Sequence, residues 1–278
     1  MLFDIRTPDS AFEFILEFFE ITGKEFINQY IIECNSSIDE FIYKHLDYID
    51  SKDINSLKYT AFHVTSNWNE CSEIKTDGIK NLQKVLSEQS QLRALLLSYG
   101  VEFDITKKNL IATKKIIDID YDKYCGQYGL SSYEKKIERV AHKIYYDYQV
   151  NGFFSNNNIL NYATEIHTRP EFISNLTELL PYLKNAENYW RERSKGYIIT
   201  FIADFQQFAW YTFYDHEYQY WSDEENKQQL KKWIISMAVN RSFDGINSHS
   251  EIFAYMNPTT IIKPEQIIDY KQISFNVK

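Results

Sequence analysis

The sequence predicts an α+β fold, with helices dominating its first half and short strands gathering toward its end. Three observations carry that expectation. Ile137, Val140, Ala141, Ile144, Tyr145 and Tyr148 fall on one stripe at helical spacing. The run YIITFIA at 197–203 is a short continuous apolar segment of buried-strand type, introduced by Gly196. Residues 251–256 alternate in strand fashion until Asn257-Pro258 ends them. Helices in one region and strands in another are the pattern of α+β proteins.

A first helix is expected over 9–21, where Asp9 and Ser10 are capping residues and Phe12, Ile15, Phe18 and Phe19 share a face. Gly23 suits its end. Helical spacing continues over 25–50, so residues 1–56 read as a helical N-terminal region and 57–278 as a second domain. A short strand is expected at 59–64, followed by a helix capped by Ser66 that carries Trp68, Cys71 and Ile74 and stops at Asp77-Gly78. Residues 84–98 suit another helix closed by Gly100, and 101–120 mix strand and loop. The 133–148 helix breaks at Asn151-Gly152; Phe153–Phe154 suits a short strand, followed by the polar run Ser155–Asn158. Helices fill 159–193, punctuated by Pro170 and Pro181. After the 197–203 strand come an aromatic helix at 205–221, a charged helix at 223–238, a turn at Asp244-Gly245, the strand at 251–256, one helical turn at 264–268 and a last strand at 271–277.

The 278 residues suffice for one large domain, or for a catalytic domain with a smaller helical partner. An apolar share of 44 % excludes a mainly disordered chain. The net charge of -9 is the wrong sign for a general nucleic-acid coat. A nucleic acid would therefore have to meet a local patch, Lys107–Lys108 with Lys114–Lys115, or Arg191, Arg193 and Lys195; such clusters are commonly solvated faces. Cys34, Cys71 and Cys125 are odd in number and far apart, which fits neither a disulfide framework nor a zinc site and suits a reducing compartment. The first residues lack the basic and apolar regions of a signal peptide, and no 18-residue apolar run spans a membrane. The expectation is a cytoplasmic protein.

Two segments carry groups suited to chemistry. FHVTS at 62–66 precedes NWNECSEIKTDGI. On a strand, His63 and Thr65 face one side, so an imidazole and a hydroxyl enter the same space, groups able to hold a ribose hydroxyl and a carboxamide. Near the far end, SHSEIFAYMNPTTIIKPEQIIDY places Glu251 at a strand mouth, on one face with Phe253 and Tyr255. Breaking an N-glycosidic bond builds oxocarbenium character, which a nearby carboxylate stabilises. Each segment alone also reads as ordinary structure: a backbone-bonded histidine beside a capping threonine, and a solvated edge-strand glutamate.

Taken together, "H-x-T, helix, Gly-Ile" at the front and "S-E-I-F-A-Y … I-K-P-E-Q-I" at the end resemble the first and last motifs of the ADP-ribosyltransferase superfamily. The resemblance is to its His–Tyr–Glu branch, the diphtheria-toxin and poly(ADP-ribose) polymerase type. It implies split antiparallel β-sheets around an NAD cleft, with no G-x-G-x-x-G motif, and none occurs here. It implies that His63 binds a ribose hydroxyl of NAD, that Thr65 contacts the nicotinamide carboxamide, and that Glu251 holds the 2'-hydroxyl and stabilises the transition state. NGFFSNNNILNYA at 151–163 is similar to the family's middle segment, whose aromatic rings sandwich the nicotinamide. Phe154 and Tyr162 would be those rings, with Tyr197 and Phe201 on the 197–203 strand as rivals. The residue after His63 is Val64, where the polymerase type has Gly. The likeness covers about a quarter of the chain.

By this resemblance the chain uses NAD as a substrate and transfers ADP-ribose to a macromolecular acceptor, protein or nucleic acid, as an intracellular toxin or defence effector, with room for an inhibitory partner protein. His249, where arginine-modifying members carry an acidic residue, disfavours an arginine target. The competing readings are an NAD glycohydrolase or a carboxylate-based nucleosidase, and a non-catalytic interaction protein on a degenerate transferase fold. No metal is expected: Asp215-His216-Glu217 lacks a second spaced ligand pair, and Asp118-Ile119-Asp120 with Asp122 lacks the Gly and terminal Glu of a calcium loop.

Overall fold

The computed structural model describes residues 1–161, 165–213, 223–243 and 251–273. The fold is α+β with antiparallel sheets. In chain order come β1 (Leu2–Phe3), α1 (Pro8–Phe19), α2 (Gly23–Ile27), α3 (Ile38–Lys44), α4 (Leu46–Ser51), β2 (Lys58–Asn67), α5 (Ser72–Asp77), α6 (Leu82–Ser87) and α7 (Gln91–Ser98). Then follow β3 (Val101–Asp104), β4 (Asn109–Ala112), β5 (Lys115–Asp118), α8 (Tyr121–Tyr124), α9 (Ser132–Tyr145), β6 (Asn151–Asn156), α10 (Glu171–Leu179), α11 (Lys184–Arg193), β7 (Lys195–Asp204), α12 (Asp223–Ser242), β8 (Glu251–Tyr255) and β9 (Ile267–Gln272). Among the described residues, no helix is long and apolar enough to cross a membrane.

The chain divides into two compact units, neither continuous in sequence. One comprises Met1–Phe62, Asn151–Asn158 and Thr200–Asn257; the other comprises His63–Val150, Ile159–Ile199 and Pro258–Lys278. Residues 1–56, expected as a region of their own beside a 57–278 domain, belong to the first unit. The cause is pairing that sequence periodicity does not reveal: β1 lies parallel to the start of β2, Leu2 opposite Lys58 and Phe3 opposite Tyr59, and α1 packs on α12.

The first unit orders its strands β8–β6–β2–β7, with β1 beside β2. Helix α1 begins at a reciprocal capping box between Thr7 and Ser10, one turn before the expected cap, with Pro8 at the first helical position. It ends at Glu20 in the left-handed conformation (φ 56°), so Gly23 instead opens α2. Its buried face, Ala11, Phe14, Ile15, Phe18 and Phe19, meets the core. That core is aromatic: the Phe3 ring lies 5.2 Å from Phe14, 5.8 Å from Phe154 and 6.0 Å from Trp233. Edge-to-face and tilted pairs of this kind add about 0.5–1.5 kcal/mol each beyond area burial. The aromatic helix expected over 205–221 is absent as far as Phe213. Phe205–Gln207 and Trp210–Thr212 are single 3-10 turns, because Phe208 bridges to Met256 and the Ala209 N–H donates to the Tyr255 carbonyl at 2.8 Å. The expected elements at 214–222, the turn at 244–245 and the tail from 274 lie outside the described residues.

The second unit contains the order β2–β7–β9 and a separate antiparallel meander β3–β4–β5. Ser66, expected as a helix cap, is a residue of β2; Asn81 and Ser90 cap α6 and α7, which divide the helix expected over 84–98. Helix α9 has a capping box between Ser131 and Glu134 and buries Ile137, Val140, Ala141 and Ile144 of the predicted stripe, while Tyr145 is half-buried and Tyr148 lies past the helix end. It packs with Leu96, Leu110, Leu176 and Trp190 in one apolar cluster. Gly78 sits at φ 80°, and a Cβ there would lie 2.0 Å from the Ile262 carbonyl oxygen, so the stop of α5 requires glycine. The last strand, expected at 271–277, runs from Ile267 to Gln272.

One charge in this unit is deeply buried. Glu187 is 3 % exposed and receives Arg169 Nε at 2.6 Å, Lys184 Nζ at 2.8 Å and Arg191 Nε at 3.4 Å. Burial pushes its carboxyl up, but the hydrogen bonds from Lys184 and Arg169 outweigh that and leave it below the ordinary carboxylate range. A depressed folded-state pKa gives stability that is present above the unfolded value, about 4.3, and lost as pH falls through the folded value. Urea denaturation is therefore expected to show stability falling below about pH 4.5. Glu187→Gln should cost about 3 kcal/mol at neutral pH, since it leaves the largely buried Arg169 without its anionic partner, and should flatten that acid limb. An unaltered acid limb in the variant would assign the pH dependence elsewhere.

Candidate functional site

In the second unit, the end of β2 presents alternate faces. Val64 and Ser66 are buried, and Ser66 Oγ accepts the Trp190 indole N–H at 2.9 Å, which commits that face to α11. His63 and Thr65, on the opposite face, are half-buried. Among the described residues the Thr65 hydroxyl donates to the Ser66 carbonyl alone, at 3.4 Å, a long contact. On that face an imidazole and a hydroxyl stand two residues apart on one strand. Tyr197, on β7, is 5 % exposed, and burial first, then the nearby Cys71 and Glu70, pushes its hydroxyl up. Phe201, its companion on that strand, is fully buried in the first unit.

In the first unit, β6 and β8 pair antiparallel with Asn151 opposite Tyr255, Gly152 opposite Ala254, Phe153 opposite Phe253, Ser155 opposite Ile252 and Asn156 opposite Glu251. The register shifts between Phe153 and Ser155, so Phe154 is the extra residue of a β-bulge. Its ring is 0 % exposed and surrounded by Phe3, Tyr59, Phe208, Phe213 and Trp233 at 5.2–6.4 Å. Phe154 thus has no open face to offer a ligand ring, and its place is structural. The bulge leaves Phe153 toward Phe253 (5.2 Å), and Phe253 stacks on Tyr255 (5.5 Å, 14° between planes). Phe253 and Tyr255 are half-buried and share the face of Glu251, as strand alternation predicts. Tyr162, His249 and Asp215-His216-Glu217 lie outside the described residues.

Glu251 is exposed at the mouth of β8. Asn156 Nδ2 donates to its Oε1 at 3.3 Å, and the Asn158 N–H donates to Asn156 Oδ1 at 2.8 Å. Asn156 was legible in the sequence only as part of a polar run, because a cross-strand partner depends on register. The arrangement gives an ionisable carboxylate with one fixed donor, open to solvent and flanked by aromatic faces. Such a group can stabilise a developing cation or accept from a sugar hydroxyl.

No family model fits the chain, and neither the curated proteins nor the solved structures contain a match. A cleft of about 690 Å³ elsewhere in the first unit, between α3 and α12, is lined by Asp39, Tyr43, Lys232, Trp233 and Met237 among others and includes none of the residues singled out from the sequence.

Proposed function

We propose that the protein cleaves the nicotinamide–ribose bond of NAD and transfers ADP-ribose to a macromolecular acceptor, and that its strands form a catalytic domain of the ADP-ribosyltransferase type. The observation that carries the reading is Glu251: a carboxylate at a strand mouth, oriented by Asn156, on one face with the half-open rings of Phe253 and Tyr255. The half-buried His63–Thr65 pair on β2 supports it with the donors and acceptors that a ribose and a carboxamide need.

Nicotinamide departs with the bonding pair as a neutral pyridine, so the step needs no general acid. Positive charge grows on C1' and its ring oxygen. The Glu251 carboxylate stabilises that charge and accepts from the 2'-hydroxyl, which becomes more acidic as the cation forms. On β2 of the second unit, His63 and Thr65 offer groups of the kind that bond a ribose hydroxyl and a carboxamide. The acceptor nucleophile attacks C1' and releases one proton; with water in that place the same chemistry is NAD hydrolysis. The cell role that goes with this chemistry is that of a toxin or defence effector.

The test uses NAD labelled on the adenylate phosphate. Incubation of the protein with cell extract is expected to move label into acid-precipitable protein or nucleic acid, and nuclease or protease treatment then identifies the acceptor class. Label found only in free ADP-ribose would assign hydrolysis instead of transfer. Label remaining in intact NAD would remove the proposal.

A further inference from the structure

We infer that Asn156 is the positioning residue for Glu251, a role that rests on the reading of Glu251 as the carboxylate that stabilises the transition state. Two groups of hydrogen bonds meet at the end of β6: one fastens the turn after it to the core of the first unit, and the other fixes the amide that holds the carboxylate. Arg241, on the last turn of α12, is 2 % exposed. Its Nε donates to the Ile5 carbonyl at 3.1 Å and its Nη2 to the Arg6 carbonyl at 2.8 Å, which ties the guanidinium to the backbone before α1. The same Nη2 donates to Asn157 Oδ1 at 2.8 Å. The turn that follows β6 is thereby fastened to the interior by a charged, buried donor, the stronger class of hydrogen bond.

At the end of β6, just before that turn, the Asn156 amide has its orientation fixed. The Asn158 N–H takes Asn156 Oδ1 at 2.8 Å, so the amide oxygen cannot face the carboxylate and Nδ2 must. Asn156 is 7 % exposed, whereas Glu251 is exposed. The buried member of the pair therefore sets the geometry and the exposed member is held. Register agrees, since Asn156 lies opposite Glu251 across the β6–β8 pair. Among the described residues, Asn156 is the one side chain hydrogen-bonded to Glu251. A glutamate at a strand end otherwise samples several rotamers, and a misplacement of about 1 Å can cost about 100-fold in rate. Holding one oxygen from the side leaves the other free for the sugar hydroxyl.

The experiment measures kcat and KM for nicotinamide release from NAD by wild type, Glu251→Gln, Asn156→Ala and Asn156→Asp, with thermal melting on each. Asn156→Ala is expected to lower kcat about 10- to 100-fold with KM for NAD within about twofold of wild type. Asn156→Asp has the same shape but offers an acceptor and a negative charge, so it should be at least as impaired as the alanine variant. This isosteric variant keeps the test decisive should the alanine variant fold poorly. Wild-type kcat in a folded Asn156→Asp protein, or a loss confined to KM, would overturn the positioning role while the NAD reading stands. No release by wild type, or equal release by Glu251→Gln, would remove the NAD reading and this inference with it.

Discussion

Glu251→Gln is expected to reduce nicotinamide release from NAD by about 10²- to 10³-fold, the size of effect that follows removal of one charge-stabilising group aimed at a transition state. The substitution keeps side-chain length and an oxygen able to accept from Asn156 Nδ2, so the strand end keeps its geometry. What it removes is the full negative charge that an oxocarbenium ion needs. Because Glu251 is exposed, the change should alter stability by no more than about 0.5 kcal/mol. A large fall in turnover beside an unchanged melting curve is thus the signature of a chemical role. Retained turnover with the same melting curve would make Glu251 the solvated edge-strand residue that the segment, taken alone, equally describes.

Phe154→Ala is expected to cost about 3–5 kcal/mol of stability, the usual range for truncating a buried aromatic ring. Phe154 is 0 % exposed, and its neighbours Phe3, Tyr59, Phe208, Phe213 and Trp233 come from separate segments of the first unit. Those rings cannot all close on the space together, so a cavity term adds to the lost transfer energy. Chemical denaturation of the variant measures the effect. A ring that stacked on nicotinamide would behave differently: stability would hold, and NAD affinity would fall by about 1–3 kcal/mol. A stable Phe154→Ala protein with weakened NAD binding would contradict the structural placement of this ring.

Phe154 also marks the limit of what strand alternation reveals. The resemblance sets Phe154 against the nicotinamide, and strand alternation alone gives no sign that this ring enters the core. The bulge adds one residue to β6 and decides that Phe154 enters the core while Phe153 meets Phe253. A bulge leaves no reliable trace in composition. Where local signals were strong they were enough. The α9 stripe, the apolar run within β7, the glycine stop at Gly78 and the shared face of Glu251, Phe253 and Tyr255 all follow from periodicity and turn chemistry.

Non-local pairing accounts for most of the rest. The parallel pairing of β1 with β2 draws residues 1–56 into a unit with β6, β8 and α12, although their helical character by itself suggested a separate region. At 205–213 the aromatic spacing suits a helix, but the Tyr255 and Gln207 carbonyls are claimed by bonds with the Ala209 and Asn257 N–H groups, which hold the segment in short turns. Asn156 was hidden for the same reason, since its importance lies in what stands across the strand from it. The His63–Thr65 pair needed no such context, because two positions on one strand share a face by geometry alone.

Chromatographic quantification of free nicotinamide after incubating wild-type protein with NAD and cell extract bears most directly on whether this chain splits that dinucleotide. Nicotinamide should accumulate in proportion to time and protein added, and should accumulate about 10²- to 10³-fold more slowly with the Glu251→Gln protein. Nicotinamide no higher than in a heat-inactivated control, from a protein shown by its melting curve to be folded, would contradict the account.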